Sequence, residues 1–157
     1  MIAAAALASC YSFSGSNLPS YIRTVAIPTI ENETLEPGIE QEVTTGLTDR
    51  FLDDGRLKLG TAASADARVD ARLTRYENKV NNYSASQEPL DYIVVMVLEV
   101  HFRDLVKNRE LWSEDHLTAT AIYVPGGTSG LQTEGEARKQ AIAELARDVV
   151  SKTLEQW

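Results

Sequence analysis

The chain has 157 residues, a formal net charge of −8, 43% hydrophobic and 24% charged residues. That apolar share excludes disorder along the whole length, and the acidic balance excludes a nucleic-acid binder, whose affinity comes from Lys and Arg neutralising phosphates. The single cysteine excludes an intrachain disulfide, and no run of about 18 apolar residues is present to cross a bilayer as a helix.

Met1 to Ala6 is apolar, and Leu7-Ala8-Ser9-Cys10 then runs small or apolar residues into the lone cysteine. The pattern predicts a bacterial lipoprotein signal peptide over residues 1–9, cut ahead of Cys10 so that the sulfur is acylated. The basic residues that normally open such a leader are missing, which points to a misassigned start codon or a trimmed leader. A competing reading makes Met1 to Cys10 one apolar helical turn with Cys10 as a small buried hydrophobe. The Ser/Gly/Asn/Pro run from Ser12 to Ser20 suits a tether better than a core, so the lipoprotein reading is preferred. Each buried methylene contributes about 0.8 kcal/mol, so several acyl chains hold a protein stably where one is marginal. Tyr11, where Asp would favour retention in the inner membrane, makes the outer membrane the expected address in a cell with two membranes. The expected organisation is leader 1–9, lipidated tether 10–20 and one folded domain 21–157, a size at which a single core is the default.

Tyr21 to Pro28 is rich in β-branched residues with apolar side chains on both faces, which predicts an interior strand closed by Pro28. Pro37 suits the first turn of a helix, and Ile39, Val43, Leu47 and Phe51, with Leu52 beside them, form one apolar stripe that Gly55 should stop. Gly46 on that helix marks a close approach, expected to be to a strand. Arg56 to Gly60 is a short strand candidate. Ala67, Val69, Ala71 and Leu73 alternate with Arg68, Asp70, Arg72 and Thr74, a half-buried strand. The Asn/Ser-rich segment Glu77 to Pro89 reads as a long exposed loop. Tyr92 to Phe102 is a near-continuous apolar run, hence a central strand, joined through a hairpin turn over Asp104 to Glu110, including Lys107-Asn108-Arg109-Glu110, to a return strand over Leu111 to Tyr123, its register uncertain around Ser113 to Asp115. Thr133 to Glu136 resembles a capping box ahead of a helix whose stripe is Ala137, Ala141, Leu145, Val149 and Thr153. The order β-α-β-β-β-β-α predicts an α+β fold, a two-layer sandwich with a mainly antiparallel sheet of about four strands and two helices on one face.

Catalytic and metal chemistry find no pattern to use. His101 and His116 lack ligand partners at metal-binding spacing, so no metal and no cofactor are expected. Asp53-Asp54 and Glu114-Asp115 read as solvated charge, and Gly126 to Gly130 lacks the lysine of a phosphate loop. Arg103, Lys107 and Arg109 cluster at one end of the central hairpin. They are candidate contacts for an anionic ligand, and equally a charged hairpin end that keeps sheet edges soluble.

Several separated points along the chain resemble the LptE-like lipopolysaccharide-assembly lipoprotein family. They are Cys10-Tyr11-Ser12-Phe13-Ser14-Gly15, near the family's Cys-Gly-Tyr-x-Phe but without its glycine; Thr24-Val25-Ala26-Ile27-Pro28 ahead of Asn32-Glu33-Thr34; Glu36-Pro37-Gly38-Ile39-Glu40; Leu47-Thr48-Asp49; Asp54-Gly55-Arg56-Leu57; and the terminal helix ending Leu154-Glu155-Gln156-Trp157. The resemblance implies a two-layer α/β domain, tethered to the outer membrane by acylated Cys10 and facing the periplasm. It further implies a non-enzyme that plugs and helps assemble an LptD-like β-barrel translocon and engages lipopolysaccharide, for whose lipid A phosphates Arg103, Lys107 and Arg109 are the candidate contacts. The alternative is an envelope lipoprotein of similar shape that scaffolds or activates a cell-wall enzyme; a lipid-anchored hydrolase stands third.

Overall fold

The computed structural model describes residues 18–155, so Cys10 and the leader lie outside the described residues. The elements are β1 (Thr24–Ala26), β2 (Glu31–Asn32), α1 (Ile39–Asp54), β3 (Lys58–Leu59), β4 (Ala67–Tyr83), β5 (Pro89–Asp104), β6 (Arg109–Tyr123) and α2 (Glu134–Glu155). They form one six-stranded sheet in the order β3-β1-β4-β5-β6, with β2 also on β4. The α+β class is as expected, but six strands replace about four. The sheet is also mixed: β1 runs parallel to β3 and β4, and β2 parallel to β4, while only β4-β5-β6 is antiparallel. Pro28 explains the extra strand. It cannot donate to the ladder, so the segment beside β4 breaks into β1 and β2.

The helices run side by side in the same direction, because Arg138 near the start of α2 holds Glu36 and Glu42, whereas Arg56 after α1 holds Glu155 at the end of α2. The predicted stripe Ile39, Val43, Leu47 and Phe51 is buried, and Gly55 closes α1 at φ 72° with its N–H on the Phe51 carbonyl. Leu52 does not join the stripe and is 55% exposed, being one residue past the inward face. Gly46 marks an approach to α2, not to a strand: a Cβ there would lie 2.4 Å from Ile142 Cγ2. The capping box forms as expected, with Glu136 accepting from the Gln132 and Thr133 amides while Thr133 Oγ1 accepts from the Glu136 amide.

The largest departure concerns Glu77 to Pro89. That segment is the far half of a long hairpin, and only residues 84–88 turn, with Gln87 at φ 66°. Two physical causes hid the strand. Thr74 is an extra residue between the pairs Leu73↔Leu98 and Arg75↔Val97. This bulge switches the inward phase from Val69 and Leu73 to Tyr76 and Asn78. Beyond Asn78, which bonds Glu134 at the start of α2, β4 is exposed or half-buried on both faces, so polar residues suffice. A second bulge explains the uncertain register of β6: Asp115 and His116 together oppose Glu99.

Candidate functional site

Two surfaces emerge. The first is the helix-free face of the sheet. Since β5 alternates, Val94, Met96, Leu98, Val100 and Phe102 enter the core, and Ile93, Val95, Val97, Glu99, His101 and Arg103 line the opposite face. Cross-strand register sets Ile122 beside Ile93, Thr120 beside Val95 and Thr118 beside Val97. The result is a shallow apolar strip, in which Ile122 is 49% exposed, edged on β4 by Lys79, Glu77 and Arg75. Further along the same face, His101 is held between Glu99 (Nε2 to Oε1, 3.0 Å) and Glu110 (Nδ1 to Oε2, 2.7 Å), and Glu99 also faces Arg72. Hydrogen bonds to Glu99 first and Glu110 second raise the imidazole above its ordinary value of 6.5.

Because folding raises this pKa, the stabilisation is fully present below pH 6.5 and is lost as pH rises through the folded-state value. His101→Gln is expected to remove that pH-dependent part of the stability and leave the acid branch of the remaining curve in place. Urea melts of both chains between pH 5 and 9, beside an NMR titration of the His101 ring, check this. Parallel curves for the two chains across that range would refute it.

The second surface is the β5-β6 hairpin end, which holds the three predicted residues. Asp104, the last residue of β5, is fully buried. It accepts from the Tyr21 hydroxyl (2.5 Å), the Lys107 amide (2.9 Å), the Val106 amide (3.0 Å) and, more distantly, Arg109 Nε (3.5 Å). Burial pushes its pKa up, but these donors together outweigh burial and hold the carboxyl below its ordinary range. Asn108 supplies the left-handed residue of the turn at φ 48°, as its side chain tolerates. Lys107 Nζ lies 4.7 Å from the centre of the Tyr21 ring, and Arg103 reaches Asp70 at 3.8 Å. The hairpin thus brings Arg103, Lys107 and Arg109 to one end, and Tyr21 fastens the chain's N-terminal segment to the same place. The Tyr21–Asp104 tie was invisible in sequence, since 83 positions separate the partners.

Elsewhere, a cavity of about 590 Å³ opens between α1 and α2, floored by Ile142, Ala143 and Ala146 and edged by charges of both signs, including Glu42, Asp49, Arg50 and Lys139. Among the described residues no group of three or more His, Cys, Asp or Glu side chains could hold a metal ion.

The family model for LptE, lipopolysaccharide-assembly, matches residues 22–153. The chain belongs to the LptE family. No curated protein matches it in sequence. Solved structures show the same fold at low identity. A hypothetical protein of Chlamydia trachomatis is similar with a TM-score of 0.61 at 13% identity, over 83% of this chain and 94% of that one. A minor lipoprotein of Acinetobacter baumannii gives 0.53 at 14%, over 86% and 92%. Uncharacterized lipoprotein B of Nitrosomonas europaea gives 0.51 at 19%, over 88% and 92%. The LptE match begins at Ile22, beside Tyr21 and the buried Asp104, and ends at Thr153 in the last turn of α2. Both surfaces of the LptE domain therefore fall within the matched segment, apart from Tyr21 itself.

Proposed function

We propose that this LptE-family chain is an outer-membrane lipoprotein, acylated at Cys10 and facing the periplasm, that acts by binding and not by catalysis. Its partner would be an LptD-like β-barrel, which it plugs and helps assemble, and its ligand lipopolysaccharide in transit. The observation that carries the reading is the helix-free sheet face: both helices lie on one side, leaving the strip of Ile93, Val95 and Ile122 for a partner. Apolar surface edged by polar residues is what a protein interface requires. The Arg103, Lys107 and Arg109 end supports a contact with the phosphates of a glycolipid, through charge-assisted hydrogen bonds.

Palmitate labelling of the wild type and Cys10→Ser, combined with pull-down of barrel partners, tests this reading. Label is expected in the wild type alone. Val95→Asp with Ile122→Asp is expected to abolish recovery of the barrel while circular dichroism and the melting curve stay native, since both residues already meet solvent. A wild type without label would sink the anchor; undiminished recovery by the doubly substituted chain would sink the sheet face as the interface.

A further inference from the structure

An edge strand presents a row of unpaired backbone N–H and C=O groups, which folded proteins blunt with charge, bulges or shortness. Most of the edge of this sheet is blunted. β3 is only two residues long, Lys58–Leu59. Past its pairing with β2, the free edge of β4 carries Arg75, Glu77 and Lys79, with extra residues at Thr74 and Asn81. The first half of β6 carries Arg109, Glu110 and Glu114 and the bulge at Asp115 and His116. The second half differs. From Leu117 to Tyr123 β6 has no charged residue, proline or glycine, and among the described residues no strand lies outside it.

The ladder decides which backbone groups face outward. The Val97 carbonyl of β5 points to β4, where Thr74 Oγ1 donates to it at 3.3 Å. Successive residues of a strand turn their backbone groups to opposite sides, so those of Leu98, Met96 and Val94 meet their partners Leu117, Ala119 and Ala121. The N–H and C=O of Thr118, Thr120 and Ile122 therefore point away from the sheet. Both flanking residues agree with this phase: the His116 carbonyl accepts from Thr118 Oγ1 at 3.2 Å, and the Val124 amide donates to the Leu131 carbonyl at 2.9 Å. Those outward groups are engaged. Among the described residues nothing meets the outward groups of Thr118, Thr120 and Ile122, and all three residues are exposed.

Side chains indicate what fits there. Thr120 lies beside Val95 and Ile122 beside Ile93 on the helix-free face, so a strand laid against β6 continues the apolar strip outward. Uncharged β-branched neighbours suit an uncharged segment rich in β-branched or apolar residues. A domain seated in a barrel lumen is flanked by the barrel chain and not by a second copy of itself. The closed barrel wall has no free edge to offer, so the segment lies outside that wall.

Resting on the barrel-partner reading above, we propose that the free edge of β6 is a strand-addition site. An extended, uncharged loop or terminal segment of the barrel chain pairs with Leu117 to Tyr123. Its carbonyls accept from the Thr118, Thr120 and Ile122 amides, and its amides donate to their carbonyls.

Residue-resolved hydrogen exchange tests this on the full chain, alone and in the complex recovered by pull-down. The Thr118, Thr120 and Ile122 amides are expected to exchange freely in the isolated chain and about 100-fold more slowly in the complex, as ladder amides do. Thr120→Pro is the matching variant. Since β5 does not use the Thr120 N–H, the edge accepts proline without losing a ladder bond, yet the missing donor blocks an added strand. Recovery of the barrel is expected to fall by at least about 10-fold, while Thr120→Val, which keeps the amide, recovers it as the wild type does. If Thr120→Pro does not fold, exchange in the wild-type complex decides alone. A recovered barrel with the three amides still exchanging freely, or recovery undiminished in a folded Thr120→Pro, overturns strand addition and leaves the partner reading standing. No barrel recovered by the wild type overturns both. Slow exchange of the same amides in the isolated chain, deepening with its concentration, assigns the edge to a second copy and overturns the proposal.

Discussion

Gly46→Val should open the seam between α1 and α2 and destabilise the domain by about 3 kcal/mol, because overpacking a tight contact costs about 1–3 kcal/mol and a branched side chain adds to it. The physical basis is the 2.4 Å that would separate a Cβ at residue 46 from Ile142 Cγ2, a distance that the parallel packing of two helices enforces. Alanine gains about 1 kcal/mol of helix propensity over glycine, so Gly46→Ala is expected to lose less than valine does. Truncating the neighbour supplies the control. In Gly46→Ala/Ile142→Ala the missing methyl groups receive the new Cβ, and the combined effect should be smaller than the sum of the single losses. Denaturant melts of the four chains give the coupling directly. A valine variant as stable as the wild type would show that the helices can part at no cost.

Asp104→Ala is the second large effect, at about 3 kcal/mol, since it leaves the Tyr21 hydroxyl and the amides of Val106 and Lys107 without their acceptor beneath the surface. Tyr21→Phe removes one donor and keeps the carboxylate on the turn amides, so its loss should be near 1 kcal/mol. The folded carboxyl titrates below its ordinary 3.8. The stabilisation is therefore complete above that value and disappears as pH falls through the folded-state pKa. Urea melts at pH 7 and pH 3 check both statements: the gap between wild type and Asp104→Ala should narrow at the lower pH. A constant gap would mean that the carboxylate contributes by shape alone. Hydrogen exchange at the Val106 and Lys107 amides should quicken in the alanine variant, reporting release of the hairpin end.

These effects divide the molecule by what a sequence can carry. Periodicity sufficed for α1 and α2, because each buries one stripe and is closed by local chemistry at Gly55 and at Thr133 with Glu136. It sufficed for β5, where a buried strand leaves a continuous apolar run. Periodicity failed at Glu77 to Tyr83, since a strand with two wet faces and a phase change at Thr74 presents the composition of a loop. The basic cluster Arg103, Lys107 and Arg109 was legible because a tight turn keeps neighbours in sequence near in space. Its buried organiser was not: Asp104 reads as one more charge until Tyr21 is folded onto it.

By itself, then, the amino-acid sequence determined the helices, the main antiparallel strands and the α+β class, which follow from spacing within a few residues, and its scattered motifs carried the resemblance to the LptE family. Only the tertiary structure decided the sixth strand and the parallel pairing at one edge, the tie between Tyr21 and Asp104, the two carboxylates around His101, and which sheet face lacks helices. Each depends on contacts between segments tens of residues apart. Their partners are chosen by the way the strands and helices pack, which no local pattern records.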